Sequence, residues 1–291
     1  MKVCGFTIVR NAVKFGYPVI ESIRSALPVC DCMVVLIGNS DDDTLKLIQT
    51  IDDPKIRILH SVWDDSLRKG GQVLAVETNK AMDAIGQEFD WCFYMQADEV
   101  IHEKDYQTIR QAMAANLNNN RVEGLLFKYM HFWGTFDYIG INRQWYRHEI
   151  RIIRNDKRIR SYRDAQGFRK EDKKLYVKPI NAHIYHYGWV RPPAVMVAKQ
   201  RNFASLYLSG EQLKSAENSL ASFSYNEVDA VKRFAGTHPA VMKNLIDNLA
   251  WEVSIDESQL NMRFKDRLLY AFEKITGYRL FEYRNYRILT K

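Results

Sequence analysis

Apolar positions along the first hundred residues recur with two different periods. Four runs of strand length, residues 2–9, 33–37, 55–59 and 91–95, are largely apolar, the pattern of strands buried on both faces. Between them, apolar residues return every three or four positions: Val19, Ile20, Ile23 and Leu27; Leu45, Leu47, Ile48 and Ile51; Val73, Leu74, Val76, Ala81, Met82 and Ile85. These are helix faces. Pro28 stops the first helix, Ser40 or Asp41 caps the second, and Gly70-Gly71 opens the third. Such alternation predicts right-handed βαβ units and a parallel sheet. The fourth strand ends abruptly in Gln96-Ala97-Asp98-Glu99. Open α/β sheets bind ligands beyond the carboxyl ends of their strands. A carboxylate pair there, Asp98 and Glu99, is placed to meet a divalent cation and a phosphate. Acids of this kind also suit the first turn of a helix.

Further along, the pattern predicts an amphipathic helix over 104–116 and a strand over 123–132. It then predicts a hairpin through 148–154 and 159–162, and an alternating stretch over 178–190. Beyond Arg191-Pro192-Pro193 it turns helical, over 195–208, 226–234, 239–254 and 261–276. A chain of 291 residues can form one large domain or one with an appendage, and 46% hydrophobic with 26% charged residues is ordinary for a globular protein. No apolar run approaches the roughly 18 residues of a membrane span. The first residues read as a strand rather than a leader peptide. A cytoplasmic protein is expected, at most attached to the inner face of a membrane. Cys4, Cys30, Cys32 and Cys92 lack the spacing of a zinc site and read as reduced structural residues.

Charge is uneven. The net value is +7, yet residues 143–201 hold sixteen Lys and Arg against five Asp and Glu. Such a patch favours an anionic partner: nucleic acid, acidic lipid headgroups or a phosphorylated substrate. No nucleic-acid recognition motif is present, so nucleic acid is not the expected partner. No GxGxxG follows the first strand and no GxxxxGK[ST] occurs anywhere, which argues against dinucleotide and P-loop sites.

Four segments, in order, resemble the nucleotide-sugar-binding half of family 2 glycosyltransferases. Thr7-Ile8-Val9-Arg10-Asn11 is similar to their first-strand ending. Ser40-Asp41-Asp42-Asp43-Thr44 is similar to their Ser-Thr-Asp-x-Thr turn, and Gly70 through Asn79 to their glycine-opened helix. Gln96-Ala97-Asp98-Glu99 resembles their Asp-Ala-Asp-Glu, the DXD motif. Later, Arg151-Ile152-Ile153-Arg154-Asn155 and His183-Ile184-Tyr185-His186-Tyr187 resemble the lipopolysaccharide-core glucosyltransferase branch. There a strand ending in His precedes a helix with a Lys, here Lys199. The resemblance covers about residues 3–200. It implies a GT-A α/β domain over 1–204, with a nucleotide-binding half to about 100 and an acceptor half over 101–204, and a helical C-terminal region over 205–291. It also implies transfer of a sugar, with inversion, from a nucleotide-diphosphate sugar to a glycan or lipid-linked acceptor in surface polysaccharide or lipopolysaccharide synthesis, with Mg²⁺ or Mn²⁺ as cofactor.

In that reading Asp98 is the principal metal ligand, because a divalent cation held by carboxylate and phosphates offsets the charge of the departing diphosphate. His186 is a second ligand or a phosphate contact; His183 and His186 read equally well as histidines of an edge strand. Val9, Arg10, Asn11, Asn39 and Ser40 fall near the base and ribose, and Asn79, Gln96 and Ala97 near the rest of the donor. Tyr187 and Arg191 are placed to clamp the diphosphate or meet the acceptor. An inverting transfer needs a general base. Asp164 is the first candidate; Glu171-Asp172 reads as a solvated hairpin tip. Three positions depart from the family pattern. Gln96 replaces a charged Asp, Ile37-Gly38-Asn39 lacks the Asp that reads uracil, and Gln166 stands where a Glu is expected. The base therefore stays open, with a UDP-type donor favoured. A non-catalytic nucleotide- or glycan-binding relative remains the alternative. Residues 263–291 join Phe264, Leu268, Leu269, Phe272 and Ile275 to many Arg and Lys. They form either a packing helix or a surface that lies on acidic membranes.

Overall fold

The computed structural model describes residues 1–67, 69–208, 210–228, 230–253, 255 and 262–290. Strands β1 (Val3–Val9), β2 (Cys32–Ile37), β3 (Ile56–His60) and β4 (Trp91–Tyr94) lie parallel in the order β3-β2-β1-β4. Every residue of β1, β2 and β4 is buried, because helices cover both faces. Cys4, Phe6 and Ile8 of β1 pack with Val73, Ala81 and Met82 of α3 (Gln72–Asp83). On the other face, Val9, Met33, Val35 and Ile37 meet α1 (Val19–Ala26) and Ile48 of α2 (Thr44–Gln49). Phe93 meets Ile109 and Met113 of α4 (Tyr106–Ala115) there as well. The period-two alternation of β1 thus sends side chains into two cores. This is the α/β arrangement expected of a GT-A domain.

Past β4 the sheet becomes mixed. A short β5 (Glu99–Ile101) runs antiparallel to β12 (Tyr176–Trp189), which in turn runs parallel to β6 (Gly124–Trp133). β7 (Tyr138–Gly140) continues the sheet beyond β6. Strand β8 (His148–Arg154) inserts antiparallel between β4 and β6. The hairpin expected through 148–154 and 159–162 does not form. Ile150, Arg151, Ile152 and Ile153 of β8 are all fully buried, so the strand needs a neighbour on each edge and a cover on each face. β9 (Ile159–Tyr162) pairs instead with β10 (Gly167–Lys170), and β11 (Lys173–Lys174) completes a small second sheet.

After α5 (Pro193–Tyr207) and α6 (Gly210–Ser219) the helices expected over 226–234 and 239–254 are largely replaced. A single 3₁₀ turn, Tyr225–Glu227, leads to β13 (Val231–Arg233), which joins the main sheet against β7. A second turn, Ala240–Met242, leads to the short α7 (Lys243–Asp247). Position 229, inside one expected helix, and positions 254 and 261, the ends of two others, lie outside the described residues. Helix α8 (Phe264–Thr276) forms as expected, and β14 (Arg287–Ile288) pairs with β12. The segment past 204 therefore contributes strands to the main sheet besides its helices. All four cysteines are buried and unbridged. Among the described residues no helix is long and apolar enough to cross a membrane.

Candidate active site

A cleft of about 540 Å³ opens beyond the carboxyl ends of β1 and β4, lined among others by Val9, Arg10, Trp63, Gln96, Ala97, Asp98, Asp164, His186 and Lys199. Its floor is the turn between β4 and β5. The Gln96 amide donates to Glu99 Oε2 (3.1 Å), Ser22 Oγ donates to the Gln96 carbonyl (3.0 Å), and the Asp98 carbonyl accepts from the Tyr187 amide (2.8 Å). These bonds splay the two adjacent carboxylates. Glu99 turns into the core, fully buried against Arg151, and is no metal ligand. Asp98, 8% exposed, faces the cleft.

Asp98 Oδ2 lies 3.3 Å from Lys199 Nζ and 3.9 Å from Arg191 Nη2; Oδ1 lies 3.7 Å from His186 Nε2. Burial pushes the carboxyl pKa up, but Lys199 and Arg191 overcome it and hold the group well below the usual carboxylate range. Burial together with Arg191 brings Lys199 down to about 8, so it is an ammonium at neutral pH. Lys199 also donates to the Gly188 carbonyl (2.7 Å). Arg191 stands behind the carboxylate rather than in the cleft, with Nε and Nη1 spent on the Phe15 and Tyr187 carbonyls. It does not line the cavity, and its buried Nη2 has no hydrogen-bond partner.

The two histidines fix a tautomer chain. His131 Nε2 is 2.9 Å from the Tyr146 carbonyl, which only accepts, so that nitrogen carries its hydrogen. The bare His131 Nδ1 then accepts from His186 Nδ1 at 3.1 Å. His186 Nε2 is left as a lone pair facing Asp98. Burial keeps both rings neutral, lowering His131 to about 3 and His186 to about 4. A buried imidazole lone pair beside an ionised carboxylate is a donor set that fits a divalent cation. Among the described residues no third His, Cys, Asp or Glu joins them, so substrate oxygens and water would complete the shell. Gly188 guards this spacing: a Cβ there would meet His186 Nε2 at 2.5 Å and Asp98 Oδ2 at 3.0 Å. Its φ is not left-handed, so Gly188→Ala carries no backbone strain, but the buried His186 ring must give way and the variant should lose about 1–3 kcal/mol of stability while still folding. A divalent cation held by this pair, titrated as Mn²⁺ by calorimetry, should bind at least about tenfold more weakly in the variant because both donors must shift.

Several expected residues are spent elsewhere. Asn11 (φ 56°) accepts from the Asp41 amide at 2.8 Å while its own amide donates to Ser40 Oγ at 3.0 Å. Asn11 and Ser40 thus tie the β1 and β2 loops together outside the cleft. Asn39 Oδ1 accepts from the Trp63 amide (3.1 Å) and holds that ring over Gly38. Asn79 spends both amide atoms on Ser161. Tyr187 points away, its hydroxyl 2.9 Å from His238 Nδ1. Asp164 lines the cleft, with Oδ2 accepting from the Tyr207 hydroxyl at 3.3 Å. Arg10 is salt-bridged to Asp65 (2.7 Å), its guanidinium 5.6 Å from the Trp63 ring centre.

Glu149 carries no sequence signal yet sits just behind the cleft wall. It accepts from Asn285 (3.1 Å) and from Gln166 (3.2 Å), which lines the cavity. Burial raises its pKa to about 7, against the opposing pull of Arg151. A carboxyl whose folded pKa lies above its unfolded value stabilises fully at low pH and loses that contribution as pH rises. The contribution of Glu149 to stability should therefore fall between about pH 4.5 and pH 7, by roughly 3 kcal/mol, against the rise that the buried neutral His131 and His186 give as pH climbs to about 6.5. In denaturant melts the stability difference between wild type and Glu149→Gln should change by about that amount across the window; a difference that does not vary with pH would refute the assignment.

No family model matches the chain, and no curated protein matches it. Among solved structures, the chain is similar to S. aureus TarS (TM-score 0.38, 16% identity, 76% of this chain and 42% of that one). TarS residues 1–349 in complex with UDP give a TM-score of 0.38 at 15% identity, over 76% and 70%. Glucosyl-3-phosphoglycerate synthase from Mycobacterium tuberculosis, with Mn²⁺, UDP and phosphoglyceric acid, gives 0.30 at 17%, over 45% and 43%. The chain spans less than half the length of full TarS. These likenesses are distant.

Proposed function

We propose that this protein is a glycosyltransferase that moves a sugar from a nucleoside-diphosphate sugar to a hydroxyl of a glycan or lipid-linked acceptor. One observation carries the reading: an ionised, buried Asp98 at the carboxyl end of the central strand, held between Lys199, Arg191 and the lone pair of His186. The carboxylate cancels one of the two cations, leaving one net positive charge. A diphosphate leaving group with about three negative charges needs more than that, and a divalent cation on Asp98 and His186 closes the balance. When bound, Mg²⁺ or Mn²⁺ would supply Lewis-acid stabilisation of the leaving diphosphate. Lys199 contributes a fixed charge beside it. The cleft volume suits a nucleotide sugar, since ligand pockets run from about 300 to 1,000 Å³. The Trp63 ring and the planar guanidinium of Arg10, beside Val9, offer the base flat surfaces to stack on.

The acceptor hydroxyl attacks the anomeric carbon as the bond to the diphosphate oxygen breaks, and its proton passes to a carboxylate. Asp164 fits that role, because it lines the same cleft and keeps one oxygen unoccupied by Tyr207. One displacement inverts the anomeric centre. The sequence likeness to the lipopolysaccharide-core branch supports a surface glycan or its lipid-linked precursor as acceptor. A thermal-shift panel of UDP-, GDP- and CMP-sugars, with and without Mn²⁺, tests the reading. One sugar nucleotide should raise the melting temperature by several degrees, since ligand at 100 times Kd adds about 2.7 kcal/mol. No shift with any of them, with the metal present, would discard it.

A further inference from the structure

Helix α8 is amphipathic with its apolar side turned outward. Phe264, Leu268, Phe272 and Ile275 are 77%, 58%, 40% and 85% exposed. At about 100° per residue, these four and Ala271 form one stripe roughly 100° wide. On the same wheel Lys265 borders one edge, and Arg267 and Lys274 border the other; all three are exposed. The two acids of the helix, Asp266 and Glu273, fall on the opposite side with Leu269 and Tyr270, and all four are partly buried. There Glu273 binds Arg143 at 3.0 Å, Arg147 at 3.4 Å and Arg279 at 2.8 Å. The helix is thus fastened to the protein by its carboxylate and presents an apolar stripe edged only by cations. Past the left-handed Gly277 the exposed apolar groups continue with Tyr278, Phe281 and Tyr283.

A contiguous apolar stripe of this kind marks an interaction surface. Its charged edges decide the occupant. A second copy seated face to face about a two-fold axis would bring two sets of cations together. An anionic bilayer meets both edges with headgroup charge while the stripe enters the acyl boundary and the Lys and Arg stems snorkel outward. We propose that α8 with residues 278–283 is a peripheral anchor for an anionic lipid bilayer. The anchor is bonded to the cleft: Arg143 and Arg147 flank Gln144 and Tyr146 of its wall, and Arg279 donates to the Trp145 carbonyl at 2.7 Å. Binding would seat that wall at the membrane surface. The proposal stands independently of the transferase reading.

Flotation of the full chain with phosphatidylcholine vesicles, with or without about 30% phosphatidylglycerol, tests it. Binding should require the anionic lipid and weaken at high salt. Leu268→Ser/Ile275→Ser and Lys265→Glu/Lys274→Glu change only exposed side chains, and melting curves check that both variants fold. Each should lower vesicle partitioning at least about tenfold. Failure of the folded wild type to float with anionic vesicles overturns the proposal, as does unchanged binding of both variants. A dimer seen by light scattering, dispersed by the Ser variant and accompanied by no lipid binding, assigns the face to a second copy and overturns it too.

Discussion

Asp98→Asn should lower donor turnover by at least about a thousandfold, the loss expected when roughly 4 kcal/mol of charge stabilisation leaves the transition state. The amide keeps the shape and one acceptor oxygen but neither charge nor useful affinity for a divalent cation. It also leaves Lys199 and Arg191 buried beside one another without the carboxylate between them. Removing one partner of a buried charged cluster costs about 3–5 kcal/mol, so the variant should melt lower as well as react slowly. The pH dependence separates the two effects. The folded pKa of Asp98 lies below the ordinary 3.8, so the stability it contributes is present above that value and is lost as pH falls through the lower, folded value. The Asn variant should lose this acid-side slope. Lys199, no longer held up by the carboxylate, should titrate lower still. Retention of a tenth or more of wild-type turnover, in protein shown folded by circular dichroism, would remove Asp98 from the chemistry.

The residues legible in the sequence are those whose place depends on one strand end. Val9, Arg10, Gln96, Ala97 and Asp98 follow apolar runs whose burial and direction the local pattern settles, and all five line the cleft. Asn11, Ser40 and Asn79 occupy equally suggestive positions, yet their polar atoms are satisfied by backbone or by one another. A turn-forming Asn and a ligand-binding Asn have the same sequence signature; only the count of free donors and acceptors separates them. His131 is not legible for another reason. It reaches His186 across 55 residues through the parallel β6–β12 pairing, and no pattern within either strand states that register. Glu149 of β8 meets Asn285, in the loop before β14, across 136 residues, a side-chain contact that no local pattern states. The place of β8 is not legible because a strand buried on both faces shows no period that says which edges are paired.

The buried pair behind the turn yields the second large effect. Arg151 is wholly buried, with Nε and Nη2 each 2.7 Å from a Glu99 oxygen and Nη1 donating to the Ile150 and Gln166 carbonyls. Tyr94 and Tyr129 hold their ring centres 5.3 Å from its guanidinium, and the Tyr129 hydroxyl donates to Glu99 at 2.7 Å. Glu99 in turn anchors the Gln96 amide, which sets the turn that aims Asp98. Arg151→Met would leave a carboxylate in the core with only neutral donors. The cost should be about 3–5 kcal/mol, or a melting temperature lower by roughly 10 °C in a chain of this size. The combination Glu99→Gln/Arg151→Met removes both charges and keeps an acceptor oxygen for the Gln96 amide, while the Tyr129 hydroxyl can turn to accept from the new side-chain amide, so it should regain a large part of that loss. Because the register of the turn depends on the bidentate pair, the double variant should still bind donor more weakly than wild type despite its recovered stability. A single variant that melts within about 2 °C of wild type would show that this pair neither stabilises the fold nor positions the cleft floor.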